Sequence, residues 1–137
     1  FRHVPTYLSG YYKYKAGDQF TEGGKPVNGK RDICDIYAIM YETSESVPTL
    51  DGTNAFTSPN LISTARINNA KETNEWTYFK LPFTTLPGKF IDKEKLMDGK
   101  YNIAIVFTSS LEGDRFNGAI GSTLLIDEAE LIYHSED

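Results

Sequence analysis

Apolar and polar positions alternate in several runs of this chain of 137 residues, and polar stretches rich in Gly, Asn and Pro separate them. Alternation with a period of two indicates a β-strand with one buried face. The pattern predicts seven or so strands, the longest over 7–15, 33–42, 61–67, 75–83, 101–107 and 122–133. Because both faces of 33–42 are largely apolar, that strand is predicted to lie in the centre of a sheet.

The two strands near the C-terminal end were the strongest indication of fold class. The 101–107 run is almost wholly apolar, so the sequence predicts that it is buried on both faces. The 122–133 run alternates, which predicts two faces. One face would hold Leu125, Asp127, Ala129 and Leu131, and the other Leu124, Ile126, Glu128, Glu130 and Ile132. Together these strands favour a single all-β sandwich.

Turn and capping signals occupy the connections. Gly23–Gly24 and Asn28–Gly29 predict turns within 16–31, which could hold a small hairpin. The only helix signal is Asp92 as an N-cap, followed by 93–97, with Gly99 as terminator. The fold is therefore expected to contain at most one short helix. The polar stretch 43–60 is predicted to be a long loop.

Composition narrows the function classes. The net charge is −5, which argues against a nucleic-acid partner because such proteins need a basic surface. No apolar run reaches the ~18 residues of a membrane span. Cys34 is the only cysteine, so no internal disulfide forms, and its place in a strand predicts a buried, inert thiol.

Several segments in order resemble the PCMD family, which is named for carbohydrate metabolism. They include GYYKYKAGD (10–18), CDIYAIMYE (34–42), EWTYFKLPF (75–83) and FNGAIGSTLLIDEAEL (116–131), and the resemblance covers nearly the whole chain. It implies a jelly-roll sandwich similar to galactose-binding-like and carbohydrate-binding modules. It also implies a C-terminal domain of a longer cell-envelope or secreted bacterial protein. Since only nine residues precede Gly10, an N-terminal strand of the sandwich is expected to be missing or supplied differently.

Sugar binding needs flat aromatic rings and planar polar groups. The sequence offers such a set on its strands, and alternation would bring the set to one outer face if the strands are neighbours: Tyr11, Lys13, Asp35, Tyr37 and Arg66. The alternative is that the tyrosines are packed under other segments and the charges are merely solvated. The single tryptophan, Trp76, is predicted to lie in the core, with a sugar-stacking platform as the alternative.

Two further sites are predicted near the C-terminal end. Asp114 and Arg115, in the loop 109–116, could bind sugar hydroxyls as a rim of the site, or form an ordinary solvated turn. Asp127 resembles the closing-strand acid that helps to hold a structural calcium in carbohydrate-binding jelly rolls. The alternative is that Asp127 accepts backbone N–H bonds within the sandwich.

No catalytic residues are predicted. The carboxylates show no spacing that fixes a glycosidase pair, and no nucleophile or phosphate-loop motif is present. The leading hypothesis is a non-catalytic carbohydrate-binding module of the cell envelope or exterior, whose partner is an oligo- or polysaccharide. The second is a structural or protein-interaction domain packed on an upstream domain of the same polypeptide. A glycoside hydrolase ranks third.

Overall fold

The computed structural model describes residues 3–43, 56, 58–113 and 116–133. Within these residues the chain forms ten strands, where the sequence predicted seven or so, and the one short helix that the capping signal predicted. In chain order these are β1 (Pro5–Lys15), β2 (Phe20–Glu22), β3 (Lys25–Pro26), β4 (Asp35–Glu42), β5 (Leu61–Arg66), β6 (Thr73–Pro82), β7 (Thr84–Thr85), α1 (Lys93–Met97), β8 (Tyr101–Thr108), β9 (Asn117–Ala119) and β10 (Thr123–Tyr133). The all-β prediction is confirmed.

Two antiparallel sheets carry the fold, one in the order β10-β1-β6 and the other in the order β7-β5-β4-β8. Their facing side chains form one core, to which β1 contributes Leu8, Tyr12 and Tyr14, and β4 contributes Ile36 and Ala38. Burial of such a layer by both sheets provides most of the driving force for a sandwich. The β4 strand lies between β5 and β8, so its prediction as a central strand is confirmed.

The predicted small hairpin and helix are both present. β2 and β3 pair around Gly23 and Gly24, which have positive φ, and β2 also pairs with β9 to complete a third, small sheet. The Asp92 side chain accepts hydrogen bonds from the N–H groups of Glu94 and Lys95 and so caps α1. No helix within the described ranges is long and apolar enough to cross a membrane.

A buried carboxylate ties the small sheet to the sandwich. Asp32 is 3% exposed, and its Oδ2 accepts hydrogen bonds from the Ser110 and Ser122 hydroxyls and from the Ala119 N–H. Its Oδ1 accepts the Ile33 N–H. Among the described residues, four donors and no basic side chain contact the carboxylate, and these donors make its burial tolerable. These bonds hold the segments before β4, after β8 and around β9 together.

The prediction that 101–107 is buried on both faces is wrong. Among the described strands β8 lies at the edge of its sheet and pairs with β4. Ile105 and Phe107 lie on the same side of the sheet as the core residues Ala38 and Ile36, yet they are 40% and 37% exposed. The cause is lateral position: a strand at the edge of a sandwich is covered less by the opposite sheet than a central strand is.

The predicted two-face alternation of 122–133 is also wrong beyond Asp127. Tyr11 pairs with Asp127 whereas Ser9 pairs with Glu130, so the two residues 128 and 129 stand opposite Gly10 in a β-bulge. Glu128 has a φ of 52°, the positive value that such a bulge requires here. The extra residue reverses the alternation, and the core therefore receives Leu124, Ile126 and then Leu131. Gly10 permits the close approach, since a Cβ there would lie 3.2 Å from the Ala129 Cα.

Candidate functional site

An exposed row of rings and ammonium groups covers the outer side of strands β1 and β6. The residues that face outward here will be called the aromatic face: Tyr7, Tyr11, Lys13, Trp76, Tyr78 and Lys80. Their inward neighbours on the same strands, Tyr12 and Phe79, belong to the core. Alternation therefore leaves the outward set available to solvent. Trp76 is 45% exposed and Tyr78 is 53% exposed.

Cross-strand contacts hold the rings of the aromatic face in place. Tyr11 and Tyr78 are paired across β1 and β6, with ring centroids 5.2 Å apart and planes tilted by 56°. Lys13 Nζ lies 4.7 Å from the centre of the Trp76 ring. Lys80 Nζ lies 4.4 Å from the centre of the Tyr7 ring at the other end of the row. Such contacts restrict exposed rings at low entropic cost, which suits them to stack on a ligand.

The prediction that Trp76 lies in the core is wrong. Thr77 pairs with Tyr12 and Thr73 pairs with Tyr14, so β6 carries extra residues between these two positions. On the C-terminal side of this irregularity Phe79 and Leu81 point inward. Trp76 therefore shares the outward side with Tyr78. A signal for this was present in the sequence. The Thr77, Phe79 and Leu81 side of the strand is more apolar than the side that holds Trp76, Tyr78 and Lys80.

Of the five predicted strand residues, the remaining three lie on the opposite sheet. Asp35 and Tyr37 are on β4, and Arg66 on β5 is paired with Tyr37. The Arg66 guanidinium donates two hydrogen bonds to Asp35, at 2.7 and 3.2 Å. Its carbon Cζ lies 4.3 Å from the centre of the Phe56 ring and 5.7 Å from that of Tyr37. Tyr37 is only 4% exposed, and the charges of Arg66 and Asp35 neutralise each other in an ion pair.

The five predicted strand residues therefore fall into two groups. Tyr11 and Lys13 lie on the aromatic face, while Asp35, Tyr37 and Arg66 lie together on the outer side of the other sheet. The five residues could share one face only if their strands were neighbours, and these strands belong to two different sheets. Packing of Tyr37 agrees with the alternative reading of that residue. Sugar binding by either group stays a prediction.

Depressions flank the aromatic face on two sides. One, with a volume of about 680 Å³, lies beside Lys13 and is also lined by Lys15, Asn74 and Leu125. The other, of about 570 Å³, runs along the outer edge of β6 between the two sheets, where Asn68 and other polar side chains line it. Such amide, hydroxyl and ammonium groups beside exposed rings are the usual equipment of a sugar subsite.

Carboxylates are scarce in these depressions. Glu72 is the one acidic residue among their lining residues. Its carboxylate accepts two hydrogen bonds from Arg31, at 2.6 and 3.2 Å, and one from the Ala16 N–H. The bond from Arg31 is the main cause that lowers the pKa of Glu72. A paired, ionised carboxylate of this kind is a poor general acid.

Asp114 and Arg115 lie outside the described residues, so their predicted role as a rim stays a prediction. Asp127 is exposed, and its Oδ1 accepts the N–H of Glu128 in the bulge. In the described part of the chain no group of three or more His, Cys, Asp or Glu side chains is arranged to hold a metal. The side chains around Asp127 do not by themselves form the oxygen-rich set that calcium prefers, and the calcium prediction stays untested.

Two buried groups are unsuited to nucleophilic chemistry. Burial raises the pKa of the Cys34 thiol to about 11, so the thiolate is rare at neutral pH. Burial likewise raises the pKa of Tyr14 to about 12, and the Tyr14 hydroxyl donates a 2.7 Å hydrogen bond to the Ser109 carbonyl. Both side chains act in the core, and neither serves a reactive site.

Comparison with known proteins adds a family to this geometry. Residues 1–132 match the family described as "Putative carbohydrate metabolism domain" (PCMD). A crystal structure of "a putative glycoside hydrolase" from Bacteroides thetaiotaomicron VPI-5482 is similar, with 87% identity and a TM-score of 0.96; the match covers 99% of this chain and 40% of that one. A second "putative glycoside hydrolase", from Bacteroides vulgatus ATCC 8482, has 46% identity and a TM-score of 0.89; the match covers 98% of this chain and 54% of that one.

These matches bear on function only coarsely. This chain spans about half or less of the length of the two solved relatives. No curated protein matches it. The family and the names of the relatives point to a carbohydrate-related function.

Proposed function

The chain belongs to the PCMD family, and on that premise we propose that it is a non-catalytic carbohydrate-binding module that uses the aromatic face. One observation carries the proposal. Trp76 and Tyr78 are about half exposed on a rigid strand and stand in line with Tyr11. Exposed aromatic patches often mark interaction sites, and sugar C–H surfaces stack on such rings.

The neighbouring polar groups suit the same role. Lys13 and Asn74 line the depression at one end of the aromatic face, so they are within reach of hydroxyl groups on a stacked sugar. The rings are on β1 and β6, whose inward side chains belong to the core. This packing keeps the rings in place before the ligand arrives. A preorganised surface loses less entropy on binding. We place this module in the cell envelope or outside the cell, as a proposal that follows from its family.

A glycan array probed with the 137-residue chain and three variants tests the proposal. Trp76→Ala and Tyr78→Ala are expected to lose most of the binding, since truncating a Trp or Tyr at the centre of a binding surface often costs about 2 kcal/mol or more. Phe90→Ala is the matched control, because Phe90 is an exposed ring (73%) that lies outside the sheets. Each variant must first give an unfolding midpoint close to that of the wild type.

Two results would reject this function. One is a folded wild-type chain that binds no glycan, and the other is binding that Trp76→Ala and Tyr78→Ala leave unchanged. Running the array with calcium and with a chelator tests the calcium prediction at Asp127 separately.

A second function, as a domain that packs on another part of a longer polypeptide, has its own supporting observation. The core-side residues Ile105 and Phe107 of β8 remain more than one-third exposed. Leu124 and Ile126 of β10, on the opposite sheet, are only partly buried. A partner domain that covered this open seam would bury apolar area. Replacing Ile105 with Ser should then leave the isolated domain folded but weaken its association with the rest of the longer protein.

Hydrolysis is the least supported function. Glycosidases need two carboxyl groups about 5–10 Å apart across a cleft. The two depressions beside the aromatic face offer only Glu72, which Arg31 holds. Release of reducing sugar by the isolated chain, abolished by Glu72→Gln, would favour hydrolysis over binding.

A further inference from the structure

We propose that the ligand of the aromatic face is an anionic polysaccharide, one that carries carboxylate or sulfate groups. This inference rests on the proposed binding function and names its class of ligand. The feature that carries it is a pair of ammonium groups, on Lys13 and Lys80, which lie over the rings at the two ends of the row.

The register of β1 and β6 sets the spacing of the two ammonium groups. Lys80 pairs with Ser9, and Lys13 lies four residues further along β1. At a rise of ~3.3 Å per residue the two positions are about 13 Å apart. The Tyr11–Tyr78 ring pair lies between them. A sugar chain that crosses the ring pair can therefore place an acidic group near each lysine.

Neither lysine is neutralised by an acid in the described part of the chain. The ion pairs found there involve other cations: Lys30, Arg31, Arg66 and Lys95. Lys13 and Lys80 instead contact rings, which leaves their hydrogen-bond donors free to meet an acceptor. In a protein with a net charge of −5, these two cations are available to attract an anionic group.

The acidic groups of this face lie toward its margins. Asp127 and Glu130 belong to β10, on the far side of β1 from Trp76 and Lys80. Asp127 is partly engaged, since its Oδ1 accepts the Glu128 N–H. Glu75 is exposed next to Trp76, and Lys15 is exposed at the end of β1. The half of the face formed by β1 and β6 is therefore aromatic and mainly basic.

Stacking itself favours an acidic sugar here. The Lys13 ammonium occupies one side of the Trp76 ring. A neutral sugar that stacked on that side would displace the ammonium and gain no charge interaction in return. An acidic sugar can instead keep the ammonium in a charge-assisted hydrogen bond while its ring packs against the indole.

Matched polymers provide the test. We would measure binding of the 137-residue chain to polygalacturonate and to the same polymer after methyl esterification, which removes the charge and keeps the sugar and its linkage. Chondroitin sulfate and unsulfated chondroitin form the second pair and separate sulfate from carboxylate. We expect at least one charged polymer to bind about tenfold more tightly than its less charged match, since hydrogen bonds to charged groups are the stronger class. This preference should fall as salt is raised from about 0.05 to about 0.5 M.

The double variant Lys13→Gln/Lys80→Gln should abolish the preference for the charged polymer of each pair. Lys25→Gln/Lys93→Gln is the matched control, because it makes the same change in net charge at exposed lysines outside the aromatic face. Equal binding within both polymer pairs, or equal loss of preference in both double variants, would overturn the inference while the binding function stands. Failure of every polymer to bind would overturn the inference, and an array that is also blank would reject the function as well.

Discussion

The outer sides of the two sheets carry similar residues but differ in how exposed these residues are. On β1, Tyr11 and Lys13 alternate with core residues, and on β4 Asp35, Tyr37 and Tyr41 do the same. The first side keeps its rings exposed, whereas Tyr37 and Tyr41 are buried to 4% and 2% exposure. Alternation alone therefore tells which side chains point away from the core and does not tell whether another segment covers them.

The cations on the two sides also differ. Arg66 is held by both oxygens of Asp35 and by two rings, and the Asp35 side chain is only 5% exposed. Lys13 and Lys80 contact rings alone. The planar guanidinium suits a fixed, paired position, while a flexible ammonium can leave its ring for a ligand. The comparison teaches that one sheet packs its outer residues together, whereas the other leaves them in contact with solvent.

The largest expected effect comes from removing a ring on each side. Tyr37→Ala should lower the free energy of unfolding by about 3 kcal/mol, because it removes a buried ring and leaves a cavity. Tyr78→Ala should lower it by less than about 1 kcal/mol, since half of that ring is already in water. Urea denaturation of both variants measures the difference. Similar losses in the two variants would mean that the sides do not differ in this way.

Removing one cation from each side should give a smaller contrast. Arg66→Ala leaves Asp35 buried without its partner, and we expect a loss of about 2 kcal/mol, reduced from the fully buried case because the Arg66 side chain is 42% exposed. Lys13→Ala should cost less than about 0.5 kcal/mol. Arg66→Lys is the control: it keeps the charge and loses the two-pronged geometry, so its stability should fall between wild type and Arg66→Ala. Full stability of Arg66→Ala would contradict the structural role of the pair.

The last prediction concerns the inner side of β1, where the buried ring of Tyr14 makes stability depend on pH. Burial raises the pKa of Tyr14 from 10.0 to about 12, so the folded state holds that proton more tightly than the unfolded state does. The resulting stability is complete below pH 10 and is lost as pH rises through 12. Tyr14→Phe should therefore flatten the decline in unfolding free energy over this range.

The high-pH measurement has a known background. Cys34 also lowers the unfolding free energy as pH rises from 9 to 11, because burial raises its pKa to about 11. Wild type and Tyr14→Phe both keep this cysteine. At neutral pH Tyr14→Phe should cost about 1 kcal/mol through the lost hydrogen bond to Ser109. Parallel pH profiles for wild type and Tyr14→Phe would count against the assignment.

Part of this protein could be predicted from local sequence. The Asp92 cap and the Gly23–Gly24 turn involve residues within a few positions of each other, and both occur where the sequence indicates them. The apolar character of both faces of β4 correctly predicted its central position. Of the candidate site residues, Tyr11 and Lys13 lie on an outer face as the sequence predicted, and sugar binding by them stays a prediction.

Other features depended on contacts between distant residues. The bulge at Glu128 arises where β10 meets Gly10 of β1, and it changes which residues of β10 face the core. Trp76 lies outside because the register of β6 on β1 directs Phe79 inward. The exposure of Phe107 follows from the position of β8 at the edge of its sheet. None of these three features was specified by the local pattern of its own strand.

By itself, the sequence determined the strands, their turns, the one helix cap and the family, because periodicity and capping are properties of neighbouring residues. The tertiary structure alone decided that Tyr11 and Lys13 join Trp76, Tyr78 and Lys80, while Asp35, Tyr37 and Arg66 form a packed cluster on the other sheet. The physical reason is that strand order and burial are properties of the whole sandwich. One side of each sheet packs on the other sheet, and the exposure of its outer side depends on whether other segments cover it.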